Sequence, residues 1–186
     1  MLSIYIIPPS TGVDSFKLLN SLNTKIPSLF TFNFTSASLW IKNILSEVER
    51  RKLLKFCKTK LENFGDNWPG LQSKNNLHSY PQMNTFVNTI LKKVKDYKIE
   101  TSWVNYSKGD FINWHRHPTA KLSAVYFLKN PDSLGTIFRN EKYNYDKIIS
   151  TKAPQNSLLV FDGSKTHSQP YTHKKFERYT IAVDLI

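Results

Sequence analysis

The sequence is poor in cysteine and has no long apolar run. Its single cysteine, Cys57, cannot form a disulfide within the chain, which agrees with a reducing, cytoplasmic compartment. No apolar stretch approaches the roughly 18 residues of a membrane-spanning helix. The opening stretch MLSIYIIPPS lacks a basic region and a small-residue cleavage site, which argues against a signal peptide and favours a first strand closed by Pro8 and Pro9. We therefore expect a cytoplasmic protein with no membrane span.

Acidic residues are also scarce. The chain has 26 lysines and arginines against 14 aspartates and glutamates, a formal net charge of +12. Such a surface attracts anions, so we expect an anionic partner or substrate such as a nucleic acid or an acidic protein or peptide. The lysines are scattered and not gathered in one block, so a generally lysine-rich surface is the open alternative.

Length and composition favour one globular domain. A chain of 186 residues with 40% hydrophobic and 13% aromatic residues can bury a sizeable core. No internal repeat, low-complexity tract or linker is evident. We predict a single domain over 1–186, in which 1–99 is a helical support region and 100–186 is the core that carries the site.

The first part of the chain shows helical spacing. Apolar residues recur every three to four positions after residue 38, which predicts a helix that Ser38 caps and Gly65 ends. The stretch 67–82 is interrupted by proline and glycine and is predicted to be a loop, and 83–97 is predicted to be a second amphipathic helix. The tryptophans Trp40, Trp68 and Trp103 are expected in the core.

From residue 100 the pattern changes to short strands and turns. We predict strands near 100–107, 111–116, 121–129, 134–139, 146–152, 157–162, 166–170 and 177–185. Eight short strands at close spacing predict a mainly β fold, a double-stranded β-helix (jelly roll, cupin-like), with the N-terminal helices packed on it.

Two of the five histidines stand two residues apart in the stretch NWHRHP. Because side chains alternate along a strand, His115 and His117 face the same way. His167 opens a later predicted strand, and Arg178 opens the apolar final strand. Three neutral imidazoles suit iron, zinc or copper. A histidine pair alone is a weak signal, but the later histidine and arginine at fitting positions favour a site.

Residues 101–185 resemble the Fe(II)/2-oxoglutarate-dependent oxygenases. The stretch YSKGDFINWHRH is similar to that family's first metal-binding segment, with Tyr106, Gly109 and His115 in place. KLSAVYFLKNPDSLGTIFRN and APQNSLLVFDGSKTHSQP resemble its following segments, and RYT resembles its co-substrate motif. HRHP followed by LSAVYFL is more narrowly similar to a phage and bacterial branch of these oxygenases.

The resemblance implies a hydroxylase that couples oxidative decarboxylation of 2-oxoglutarate to C–H hydroxylation, with Fe(II), 2-oxoglutarate and O2. It implies the metal ligands His115, His117 and His167. Arg178, with Thr180, would bind the far carboxylate of 2-oxoglutarate. Phe127 stands where related enzymes often have a tyrosine that reaches the co-substrate, so Tyr106, Ser123 or Thr180 would make that contact.

The sequence departs from the family at two further positions. His117 stands where most members have Asp or Glu, so three neutral ligands would leave Fe(II) at +2 where the usual set leaves +1. Asp110 or Asp162 would supply a carboxylate if His117 does not bind. Asn156 replaces a turn glycine, a mild change because Asn also tolerates positive φ.

Two other classes of function stay open on the sequence. One is a non-catalytic, cupin-like metal or sugar binder, which would hold zinc or nickel without needing 2-oxoglutarate. The other is a basic nucleic-acid-binding module in which the histidines are incidental, although no helix-turn-helix, zinc-finger or RRM signature supports it.

Overall fold

Antiparallel strands form most of the structure, a computed structural model that describes residues 38–63, 70–140 and 147–186. The ten strands are β1 Ser38–Lys42, β2 Leu71–Gln72, β3 Ile99–Ser107, β4 Ile112–His115, β5 Leu122–Lys129, β6 Leu134–Asn140, β7 Lys147–Lys152, β8 Ser157–Asp162, β9 His167–Gln169 and β10 Arg178–Leu185. The predicted strand before Pro8 and the predicted core position of Trp68 lie outside the described residues.

The strands form two sheets. One has six strands in the order β1-β8-β5-β10-β3-β2, and the other has four in the order β4-β9-β6-β7. All these ladders are antiparallel. The eight strands predicted after residue 100 are confirmed within about two residues, and the fold is the predicted double-stranded β-helix.

Side chains alternate between the two faces of each strand, and the buried apolar residues form two separate clusters. In β10 the side chains of Tyr179, Ile181, Val183 and Leu185 enter the main core. The helices α1 (Glu47–Lys58) and α2 (Asn84–Lys93) contribute Leu53, Phe86 and Ile90 to that core. A smaller cluster contains Phe127, Phe138, Ala153, Leu159 and Phe161, which come from both sheets and the turn before β8. The helices therefore cover the outer face of the larger sheet, and its inner face is left to form the site.

The first helix is shorter than predicted. Ser38 does not cap it, because Ser38–Lys42 is a strand that pairs with β8. The cap is Ser46, whose Oγ accepts a hydrogen bond from the Glu49 backbone N–H at 3.2 Å while Glu49 accepts one from the Ser46 N–H at 3.0 Å. This reciprocal capping box starts the helix eight residues late, and the helix ends at Lys58, before Gly65.

The predicted loop and second helix also differ from the structure. The loop contains β2, which pairs with β3, and two 3₁₀ turns, Leu77–Ser79 and Pro81–Met83. The second helix ends at Lys93 because Val94 leaves the helical backbone conformation. Strand β1 thus lies where a helix was predicted, and β2 lies where a loop was predicted. Among the described residues, no helix is both long and apolar enough to cross a membrane.

Asn156 has two roles in the turn before β8. Its φ of 64° lies in the left-handed region that glycine tolerates best. Its side chain also accepts hydrogen bonds from the Leu45 N–H at 3.1 Å and the Tyr126 hydroxyl at 2.7 Å, and it donates one to the Leu45 carbonyl at 2.7 Å. Asn156 therefore joins the chain before α1 to the barrel, which a glycine would not do.

We expect Asn156→Gly to destabilise the protein by about 2 kcal/mol although it relieves the backbone. The lost hydrogen bonds are worth about 1 kcal/mol each, and the buried Tyr126 hydroxyl is left without its partner. Chemical denaturation measures the free energy of unfolding. Asn43→Gly is the matched control, because Asn43 also has a positive φ, of 54°, but is exposed. Equal effects at the two positions would contradict this account.

Candidate metal centre

The site begins with a cross-strand pair of histidines. His115, the last residue of β4, lies opposite His167, the first residue of β9. Their ring centroids are 4.3 Å apart. The register between the two strands shifts between Ile112 and His115, an irregularity that re-aims the end of β4. The pairing of these strands therefore brings together two histidines that are 52 positions apart in the sequence.

His117 lies just beyond β4 and is held by the turn after β8. Its backbone N–H donates to the Gly163 carbonyl at 2.8 Å. A Cβ added to Gly163 would lie 2.4 Å from the Ala120 carbonyl oxygen, so the close approach of the two segments requires glycine. One ring nitrogen each of His115, His117 and His167 then lies within 4.8 Å of the others. No other His, Cys, Asp or Glu of the described chain joins this group.

The hydrogen bonds of the three rings determine which nitrogen faces the centre. The Nδ1 of His115 lies 2.7 Å from the Asn113 carbonyl, and the Nδ1 of His167 lies 2.8 Å from the Lys165 carbonyl. The Nδ1 of His117 lies 2.8 Å from Oδ2 of Asp184. Because carbonyl and carboxylate oxygens only accept, each Nδ1 carries the proton and donates. All three Nε2 lone pairs are therefore free to bind a metal.

Burial keeps His115 and His167 in the neutral state that binds metals. Desolvation, assisted by the neighbouring His115, lowers the pKa of His167 to about 3. Burial also lowers the pKa of His115. Because a protonated imidazole has no lone pair to offer, these two histidines are ligand-competent at neutral pH.

Asp184 is a buried carboxylate of the site that was not predicted. It lies in β10 with only 8% of its surface exposed. Its Oδ2 accepts from His117 at 2.8 Å and from the Thr101 hydroxyl at 3.2 Å, and its Oδ1 accepts from the Ser123 hydroxyl at 2.9 Å. In the sequence, Asp184 could have been noticed only as an acidic residue within an apolar strand. It lies an even number of residues from Arg178, so the two side chains share one face of that strand.

The two aspartates considered as substitute ligands lie elsewhere. The Asp110 carboxylate accepts from the Lys108 backbone N–H at 2.9 Å. The Asp162 carboxylate accepts from the backbone and side chain of Ser164 in its own turn. Neither joins the histidine group, because each is used to stabilise a local turn.

Arg178 is buried without an ion pair among the described residues. It is 2% exposed, and its Nε and Nη1 have no hydrogen-bond partner in the described part of the chain. Its guanidinium carbon lies 5.4 Å from the ring centroid of Phe127. Burial lowers its pKa to about 10, so it stays charged at neutral pH. The neighbouring acidic residues Glu177 and Asp184 do not pair with it, since Glu177 pairs with Lys129 at 2.7 Å and Asp184 accepts a hydrogen bond from His117.

The three histidines and Arg178 line one cavity of about 700 Å³. Thr180 and Ser123 also line it, but the Ser123 hydroxyl is turned toward Asp184. Tyr106 does not line it: strand alternation turns this side chain to the outer face of β3, where it packs on Tyr179 at a centroid distance of 5.0 Å. The structure therefore places Tyr106 outside the cavity, away from the co-substrate contact that was predicted for it.

Two cavity residues were not predicted. Asn105 is the partner of Thr180 across β3 and β10, and its buried Oδ1 has no hydrogen-bond partner among the described residues. Trp103 was expected in the core but lines the cavity, where it stacks on His117 at a centroid distance of 5.5 Å and an angle of 13°. Asn113 contributes its backbone carbonyl, and its side chain is exposed.

Comparisons by sequence identify no relative. No protein-family model matches the chain, and no curated protein sequence matches it. The likeness to known proteins is found in three dimensions.

Solved structures of 2-oxoglutarate oxygenases share this arrangement of strands. HygX from Streptomyces hygroscopicus, solved with nickel, 2-oxoglutarate and hygromycin B, has a TM-score of 0.63 at 10% identity over 80% of this chain and 82% of its own. A 2OG-Fe(II) oxygenase family oxidoreductase from Burkholderia pseudomallei has a TM-score of 0.62 at 12% identity over 98% and 95%.

A prolyl hydroxylase from Trichoplax adhaerens, solved with a peptide fragment of hypoxia inducible factor, has a TM-score of 0.61 at 14% identity. The match covers 92% of this chain and 88% of that one. At such identities the likeness concerns the backbone, because side chains at most positions differ. The chain thus has the double-stranded β-helix fold of the 2OG-Fe(II) oxygenases.

Proposed function

We propose that this protein is an Fe(II)- and 2-oxoglutarate-dependent oxygenase that hydroxylates a C–H bond of its substrate. One observation carries the proposal. Three free imidazole nitrogens and a buried, unpaired arginine open into the same cavity. A metal site alone does not require the arginine, and burial of an arginine without an anion is unfavourable. A ligand that binds a metal at one end and carries a carboxylate at the other satisfies both groups.

The three histidines fit a divalent first-row metal. Imidazole is a ligand common to iron, zinc, copper and nickel, and the described residues supply three donors, which leaves positions for other ligands. The bound iron, with 2-oxoglutarate and O2, would supply the oxidising chemistry by which 2-oxoglutarate becomes succinate and CO2. His115, His117 and His167 would hold the metal through Nε2, since their Nδ1 protons are engaged by oxygen acceptors.

Arg178 would orient the co-substrate. Its planar fork of N–H donors matches a carboxylate, and a desolvated charge-assisted pair is stronger than an exposed one. Phe127 packs against the guanidinium and leaves Nε and Nη1 to the ligand. Thr180, two residues further along β10, and its cross-strand partner Asn105 are polar residues of the cavity that would assist it.

The substrate is the open part of the proposal. Among the described residues of the cavity wall, Arg178 is the only lysine or arginine. The positive charge of the chain therefore lies mainly outside that wall. We propose that an anionic substrate, a nucleic acid or an acidic protein or peptide, is attracted by the outer surface while an uncharged group enters the cavity.

We expect the purified protein to release succinate from 2-oxoglutarate slowly without substrate, and only when Fe(II) is supplied. His115→Ala and His167→Ala should reduce both metal affinity and this release by more than about 100-fold, because a lost ligand costs more than a lost outer-sphere partner. Succinate assays and metal titration measure the two effects. His173→Ala is the control, since His173 is exposed and outside the group. Equal background release in all variants would contradict the proposal.

The proposed role of Arg178 leads to a second, independent prediction about ligand preference. The wild type should bind 2-oxoglutarate about 10- to 100-fold more tightly than 2-oxobutanoate, which has the same keto acid but lacks the second carboxylate, since a hydrogen bond to a charged group contributes about 1.5–3 kcal/mol. Arg178→Ala should lose this preference. Ligand-induced thermal shifts on the metal-loaded protein measure it, with the exposed Arg51→Ala as control. Metal binding without any response to 2-oxoglutarate would instead favour a non-catalytic, cupin-like binder.

A further inference from the structure

We propose that Asp184 supplies the negative charge of the metal centre, acting through His117 and not as a ligand. The inference rests on the proposed function and deepens it. In the oxygenases that the sequence resembles, a carboxylate occupies the position of His117 and reduces the charge of the metal. Here that position is neutral, and a carboxylate lies directly behind it.

The geometry places Asp184 as an outer partner of the metal. Its Oδ2 accepts the Nδ1 proton of His117 at 2.8 Å, while Nε2 of the same ring faces His115 and His167. The carboxylate itself is not one of the grouped ligand atoms. A carboxylate that accepts a hydrogen bond from a metal-binding imidazole fixes the tautomer of the ring and raises the basicity of the nitrogen that binds the metal.

Two hydroxyls hold the carboxylate in this role. Ser123 donates to Oδ1 at 2.9 Å and Thr101 donates to Oδ2 at 3.2 Å, each from a strand next to β10. The register of β10 and β3 shifts immediately after Asp184. With both oxygens occupied, the side chain is kept from turning toward the metal, and the two hydroxyls satisfy a buried anion.

The charges of the site support the same assignment. Three neutral imidazoles leave Fe(II) at +2, whereas the usual pair of histidines and a carboxylate leaves +1. His117 and Asp184 taken together carry one negative charge, so the hydrogen-bonded unit restores the usual net charge of +1. A metal bound by the histidines would be a second cation in the cavity that Arg178 lines, and a neighbouring anion would reduce the cost of keeping both there.

Asp184→Asn tests the assignment, because it keeps the shape and removes the charge. We expect anaerobic titration with Fe(II), or with Co(II) as a probe, to show binding about 10- to 100-fold weaker than in the wild type. Ser123→Ala, which removes one of the groups holding Asp184, should weaken binding by a few fold. Asp110→Asn makes the same chemical change in a turn outside the site and should leave the affinity unchanged.

A double-mutant cycle separates this role from a merely structural one. His117→Asp installs the carboxylate ligand of the related enzymes and removes the hydrogen bond through which Asp184 acts. In that background Asp184→Asn should cost less than about threefold in metal affinity. It should also raise the melting temperature of the metal-free protein, since two adjacent buried carboxylates repel each other. The ¹⁵N resonances of the His117 ring should show the Nδ1–H tautomer in the metal-free wild type and a mixture in Asp184→Asn.

Each result decides the question. A wild type that binds no metal would overturn both the proposed function and this inference. A wild type that binds Fe(II) and turns over 2-oxoglutarate, with Asp184→Asn equal to it, would leave the function standing and overturn the role of Asp184. An equal cost of Asp184→Asn in both backgrounds would show that the carboxylate does not act through His117.

Discussion

The pairing of β4 with β9 is the contact on which the rest of the site depends. It sets His115 opposite His167, and the turn that leads into β9 holds the backbone of His117 through Gly163. A shift of this pairing by one residue would turn the His115 side chain to the other face of the sheet, because side chains alternate along a strand. The histidine group is thus built on the smaller sheet and is stabilised by close contact with the turn after β8.

Strand β10 provides the complementary half of the site. One face of this strand contributes Tyr179, Ile181, Val183 and Leu185 to the main core. The other face presents Arg178, Thr180 and Asp184 to the cavity. A strand in the centre of a sheet is held on both sides, by β3 and β5, so a cation and an anion can be buried at defined places along it. The apolar face provides the stability with which the polar face is kept in position.

Much of the fold and part of the site could be predicted from local patterns. The eight strands after residue 100 follow from apolar runs between turn signals, and the spacing of His115, His117, His167 and Arg178 matched a family. The start of α1 could not be found in this way, because the apolar residues of β1 continue the helical spacing and only the pairing of Ser38–Lys42 with β8 decides against a helix. Tyr106 was proposed only by resemblance to the family, and the strand alternation that turns it toward Tyr179 was not considered.

The sequence by itself determined which residue types supply the site and in what order they occur along the chain. These follow from single residues and from the two-residue alternation of strands. Only the tertiary structure decided that Asp184 lies behind His117, 67 positions away along the chain, and that Glu177 pairs with Lys129 and leaves Arg178 to the cavity. The physical reason is that strand pairing and hydrogen bonding between distant residues have no period in the sequence. They arise when the sheets close and buried polar groups must find partners.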